Sequence, residues 1–82
     1  MFEYWICNEA DDEIFEKQCN AIEKKVTPLE KRRLLKDVDG SLIQIYAHQG
    51  KEILIYSDHF INEVYIKSEV KLEQFFNDTT SQ

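Results

Sequence analysis

Five carboxylates crowd positions 9–16 of this 82-residue chain: Glu9, Asp11, Asp12, Glu13 and Glu16. Two roles suit such a cluster. Paired carboxylates can move protons to and from a substrate, but that work needs a pocket in which one of them is held at a raised pKa. A chain of this length builds one modest core and has no cleft between domains. The second role needs no pocket. Carboxylates gathered on a surface imitate phosphates in charge, attract a basic protein surface and accelerate the encounter with it. Helix-start electrostatics accounts for any one of them alone. As a group they are expected to face a cationic protein, and Asp58 and Glu63 are assigned to the same surface.

The other reactive side chains are sparse. His48 and His59 are the only imidazoles, eleven residues apart, with none of the spacings that converge three or four ligands on a metal. Each is read as a turn residue, and no metal or cofactor is expected. Asp58-His59 is half of a catalytic dyad, yet no nucleophile with a base and oxyanion donors accompanies it. Cys19 falls on an apolar helical stripe, where a thiol is inert. The chain is therefore not expected to be an enzyme. Cys7 and Cys19 read as buried free thiols, since a disulfide would need their Cα atoms within about 7 Å. Asp37-Val38-Asp39-Gly40 resembles the start of a calcium loop, but Ser41 to Ala47 brings no further oxygen ligands, so it reads as a turn. Lys31, Arg32, Arg33 and Lys36 could touch phosphate. The net charge of −6 would repel a polyanion, and these cations are expected to pair with neighbouring carboxylates instead.

Charge is unevenly distributed along the chain. Residues 1–16 carry six acids and no base, residues 17–36 seven bases and two acids, and residues 37–82 eight acids and three bases. Apolar residues make up 43% and only one Pro and two Gly occur, which is the composition of a folded, soluble domain and not a disordered one. No apolar run approaches the roughly 20 residues that span a bilayer. Met1-Phe2-Glu3-Tyr4 lacks the basic start of a signal peptide, so a cytoplasmic location is expected.

The elements that must position these residues follow from periodicity. Phe2 to Cys7 is aromatic and β-branched, and reads as a strand that is either interior or an edge with one sticky face. Asn8 is the expected cap of a following helix, whose apolar stripe is Phe15, Cys19, Ile22 and Val26, with Asp12, Glu16, Asn20 and Glu23 on the other side. Thr27-Pro28 stops it. Residues 28–34 could form a short helix, or Arg32 to Val38 could already be strand; both stay open. Asp39-Gly40 and His48-Gln49-Gly50-Lys51 are turn signals separating strands at 41–47 and 52–57, with another strand at 62–67. Ser68 would cap a last helix bearing Leu72, Phe75 and Phe76, and 77–82 reads as a polar tail.

The expected architecture is one α+β domain over residues 1–76: strand, helix, short helix, an antiparallel meander of three or four strands, and a short C-terminal helix, with the helices on one face of the sheet. The other face would be free for binding. Tyr46 and Tyr56 are expected there as anchors, since Tyr is favoured at binding hot spots. In general character the chain resembles bacterial toxin-immunity and antitoxin proteins. That likeness implies an inhibitor whose partner is a cationic toxin or nuclease domain, with no direct nucleic-acid or membrane contact, and a monomeric or weakly dimeric state. The alternatives are a nucleic-acid mimic that blocks a DNA-binding defence enzyme, and an oligomeric module joined through Phe2–Cys7 or Ile53–Ser57.

Overall fold

The computed structural model describes residues 1–76; the expected polar tail lies outside the described residues. The chain runs β1 (Phe2–Cys7), α1 (Asp12–Lys25), β2 (Glu30–Lys36), β3 (Leu42–His48), β4 (Lys51–Asp58), β5 (Glu63–Ser68) and α2 (Glu73–Phe76). The strands form one antiparallel sheet in the order β1-β5-β4-β3-β2. This is an α+β fold with one long helix laid on the sheet.

The α1 helix begins at Asp11, not at Asn8. The Asp11 carboxylate accepts the backbone N–H groups of Glu13 (2.9 Å) and Ile14 (3.2 Å), satisfying two donors that the helix leaves free. Lys24 and Lys25 close the last turn, where the helix dipole favours cations. The 4-3-4 spacing of Phe15, Cys19, Ile22 and Val26 puts all four on one side, and they bury against Tyr46, Ile53, Ile55 and Ile66 of the sheet. Phe15, Ile22 and Val26 each contribute about 1.5–3 kcal/mol on leaving water. Val70 and Leu72 extend the core past β5.

The segment whose fate the sequence left open is strand β2. All seven of its residues are exposed, because it lies at the sheet edge, where α1 does not pack on it and meets it through the Glu23–Lys31 pair. The Thr27–Pro28 bond that leads into it is cis. The short helix over 28–34 does not form.

Turn chemistry sets the register of the meander. His48 pairs with Lys51 across Gln49 (φ 52°) and Gly50 (φ 84°), the two positive-φ positions of a two-residue hairpin with the twist of its strands. Gly40 (φ 91°) closes the β2–β3 turn, where its N–H donates to the Asp37 carbonyl. At the other edge, β1 pairs with β5 alone, and its register shifts between Trp5 and Cys7. Of the two proposed edge segments, Phe2–Cys7 is an edge and Ile53–Ser57 is not, since β4 is the central strand.

The last helix is a single turn. Ser68 does not cap it; buried at the end of β5, its hydroxyl donates to the Val70 carbonyl (2.6 Å) and accepts from the Val70 N–H (2.9 Å). The phenol of Tyr4 donates to Glu73 (2.6 Å) and accepts from the Leu72 N–H (2.9 Å), tying this turn to β1. No helix among the described residues is long and apolar enough to cross a membrane.

Candidate partner-binding surface

Antiparallel order sends alternate connections to opposite ends of a sheet. One end receives the β1–α1 connection, the start of α1, the β2–β3 turn and the β4–β5 turn. These segments carry Glu9, Asp11, Asp12, Glu13, Asp37, Asp39, Asp58 and Glu63. Carboxylates from three stretches of sequence thus meet at one pole, opposed there by Lys36 and His59. Glu16 follows one turn further along α1. At the opposite end acids and bases are mixed: Lys24, Lys25, Glu30, Lys51, Glu52, Glu69 and Lys71.

Several polar carboxylates are already engaged in holding the turns that present them. Asp39 accepts the Ser41 N–H (2.9 Å), and that backbone bond, with the Ser41 hydroxyl, holds its carboxyl below the usual range. Asp58 accepts the N–H groups of Phe60 and Ile61 through one oxygen and the Tyr65 phenol (2.8 Å) through the other. Asp12 accepts the Ser57 hydroxyl (3.3 Å) and lies 3.6 Å from His59 Nε2. Asn62 (φ 61°) accepts the Ala10 N–H (2.9 Å), fastening the β4–β5 turn to the start of α1. The pole is therefore a braced surface. Glu9, Glu13 and Glu16 project from it exposed.

Apolar side chains stand among these acids. Phe60 is 88% exposed, and Val38 and Ile61 are exposed beside it on the two turns. A hollow of about 240 Å³ lies between the turns, lined by Asp37, Asp39, Asp58, Ile43, Tyr56 and Phe60. Sequence reasoning passed over Phe60 and Val38. Their signal was an apolar residue inside a polar turn, where burial does not explain it.

The two tyrosines chosen as anchors part company. Tyr56 lies on the helix-free face. Tyr46 does not: it is 0% exposed on the helix side, packed under α1, and its phenol donates to Glu23 (2.5 Å). A two-residue turn pairs odd with even positions across β3 and β4, so two even-numbered residues necessarily face opposite ways. Burial, then the bond to Glu23, pushes the Tyr46 phenol far above its ordinary pKa.

The helix-free face carries Trp5 and Tyr65 beside Tyr56, with Ile43, Ile45 and Leu54 on the neighbouring strands. On the opposite face a groove of about 500 Å³ separates α1 from β2, with Asp12, Glu16 and Glu23 on its helical wall and Lys31 across it. Lys31 pairs with Glu23 (3.2 Å) and Arg32 with Glu30 (3.2 Å).

Of the two histidines expected in turns, only His59 lies in one. His59 follows β4 in a turn, but His48 is a buried strand residue whose Nδ1–H donates to the Pro28 carbonyl (2.7 Å) and whose ring stands T-shaped to Phe75. Both cysteines are free; Cys19 is buried and Cys7 half-buried. Burial holds the Cys19 thiol above its ordinary pKa, which suppresses its reactivity. An apolar hollow of about 250 Å³ between α1, β1 and α2 contains the titratable pair Tyr4 and Glu73, bonded to each other. Among the described residues no group of three or more His, Cys, Asp or Glu side chains could hold a metal ion.

The fold and surface define a small α+β domain, one helix on a five-stranded antiparallel sheet, with an acidic pole and an uncovered aromatic face. No protein-family model matches the chain, and comparison with curated proteins and with solved structures returns no match.

Proposed function

We propose that this chain is a non-catalytic inhibitor that binds and neutralises a cationic protein, in the manner of an immunity protein or antitoxin acting in the cytoplasm on a toxin such as a nuclease. The observation that supports this most is the pole. Three separate segments bring carboxylates to one end of the sheet and surround exposed Phe60 and Ile61 with them. An apolar centre with a charged rim is the pattern of a binding surface. The carboxylates steer a basic partner into contact, and the apolar tips supply the area that is desolvated on docking. A standard interface takes roughly 800 Å² from each partner, which a domain with 5430 Å² of accessible surface can provide.

The test is recovery of the complex from cells of the source organism, followed by kinetics on the purified pair. The partner is expected to be basic, and its activity should fall in proportion to the added chain until the two are equimolar. Association should slow steeply between about 0.01 and 1 M ionic strength, as the Debye length shrinks from about 30 to about 3 Å. An association rate indifferent to salt, or a partner fully active in the complex, would refute the proposal.

A further inference from the structure

One row of side chains crosses the entire helix-free face. Trp5 pairs with Tyr65, Tyr65 with Tyr56, Tyr56 with Ile43 and Ile43 with Leu35, one residue from each of the five strands. Its aromatic half is in direct contact. The Trp5 and Tyr65 centroids are 4.9 Å apart with the rings tilted by 56°, and Tyr65 and Tyr56 stack at 4.5 Å and 15°. Tyr65, between the other two, is only 7% exposed, whereas Trp5 is 59% exposed.

Aromatic faces carry negative potential, and this row already holds a cation. Lys67 Nζ lies 5.8 Å from the Tyr65 centroid and 5.9 Å from that of Tyr56. Trp5, of the ring type that binds cations best, stands open at the end of the row. Strand alternation puts Glu3, Glu52, Asp58 and Glu63 on the same face as the row, against Lys67.

We propose that Trp5 and its row seat an arginine side chain of a basic protein segment, with the guanidinium laid on the indole and Glu3 and Glu63 beside it. This rests on the reading of the chain as an inhibitor of a cationic protein and adds where it grips and by what chemistry. A planar guanidinium both stacks on a ring and bonds a carboxylate edge-on in its own plane, which an ammonium does less well. The acid rim disfavours the two rival occupants. A second copy packed face to face would set Glu3, Asp58 and Glu63 of both chains against one another. A single nucleic-acid strand stacks on aromatic rings but needs a cationic track beneath its phosphates.

Trp5 is the only tryptophan, so its fluorescence reports on the seat directly. Hexa-arginine, hexa-lysine and oligothymidine are titrated into the intact chain while emission and backbone amide shifts are followed. Hexa-arginine is expected to shift the emission saturably, to move the amides of residues 3–5 and 63–67, and to bind more tightly than hexa-lysine. Trp5→Phe, followed by amide shifts, and the pair Glu3→Gln with Glu63→Gln should each weaken binding about fivefold. All three positions are on the surface of the sheet, and unchanged melting of the variants confirms that they fold. Movement confined to the amides of residues 9–13 and 37–39 would overturn the seat and leave the inhibitor reading standing. An equal response to oligothymidine, or a dimer whose dissociation shifts Trp5 emission, would overturn it in favour of those occupants. Hexa-arginine moving no residue at all would count against both proposals.

Discussion

The phenol of Tyr46 links the middle of α1 to β3 through Glu23, with Lys31 on the far side of the same carboxylate. Removing it as Tyr46→Phe keeps the packing and deletes one bond to a charged, half-exposed acceptor. The expected cost is about 1–2 kcal/mol in urea unfolding. The bond from Tyr46, ahead of that from Lys31, holds the Glu23 carboxyl below its usual value. Its stabilisation is present above the unfolded carboxylate pKa and is lost as pH falls through the folded one. In Tyr46→Phe that acid-side loss should shrink, and the Glu23 titration followed by NMR should move up. The alkaline side has the opposite sign. All four tyrosines are held above the ordinary value of 10.0, each chiefly by burial, with Glu73 acting next on Tyr4, Glu23 on Tyr46, and Asp58 on Tyr56 and Tyr65. A neutral phenol is favoured in the folded state, so stability is intact below the ordinary value and falls as pH rises beyond it. Tyrosinate absorbance should stay flat through pH 10 and then rise together with loss of circular dichroism. A phenol titrating near 10 in the folded chain would contradict this.

The helix and the strands differ in how they respond to substitution and in how far they could be read in advance. Asp11→Ala should cost about 1 kcal/mol, because two helix N–H groups lose their acceptor. Ile22→Ala, which empties a site 1% exposed, should cost about 2–5 kcal/mol, whereas Leu34→Ala on β2 should stay within about 0.5 kcal/mol. Thermal and urea melts of the three variants give the comparison. The α1 stripe was legible because one face is buried and the other wet, which writes a 3.6-residue period into the chain. No such signal marks β2: an edge strand with both faces exposed has no pattern of burial to encode, so Glu30–Lys36 reads equally as helix or strand. In β3 and β4 both faces are apolar, with Ile43, Ile45 and Leu54 on one side and Tyr46, Ile53 and Ile55 on the other. Composition then cannot say which aromatic is core, although the parity imposed by Gln49-Gly50 can, and it separates Tyr46 from Tyr56. Asp11, Asp12 and Glu13 were readable as a cluster. Asp58 and Glu63 were assigned to the same surface, but the union with Asp37 and Asp39, which read only as a turn, depends on strand order and could not be read from spacing.

At the scale of the molecule, charge is sorted by end and apolar surface by face. Reversing two exposed polar acids, Glu9→Lys with Glu13→Lys, should slow association with the recovered partner at least about tenfold at low salt while leaving the melting temperature nearly unchanged. Comparable association rates for the variant and the parent would move the docking surface away from this end. The strand order carries a further consequence, for the order of assembly. β2 to β5 zip as neighbours through short turns, but β1 must wait for β5, because Phe2 finds its hydrogen-bonding mate only at Ser68. Closing so long a loop comes late. Weakening β1 should therefore hasten unfolding and scarcely touch the folding rate. Until synthesis reaches Ser68, a nascent chain carries its aromatic leading strand unsheltered.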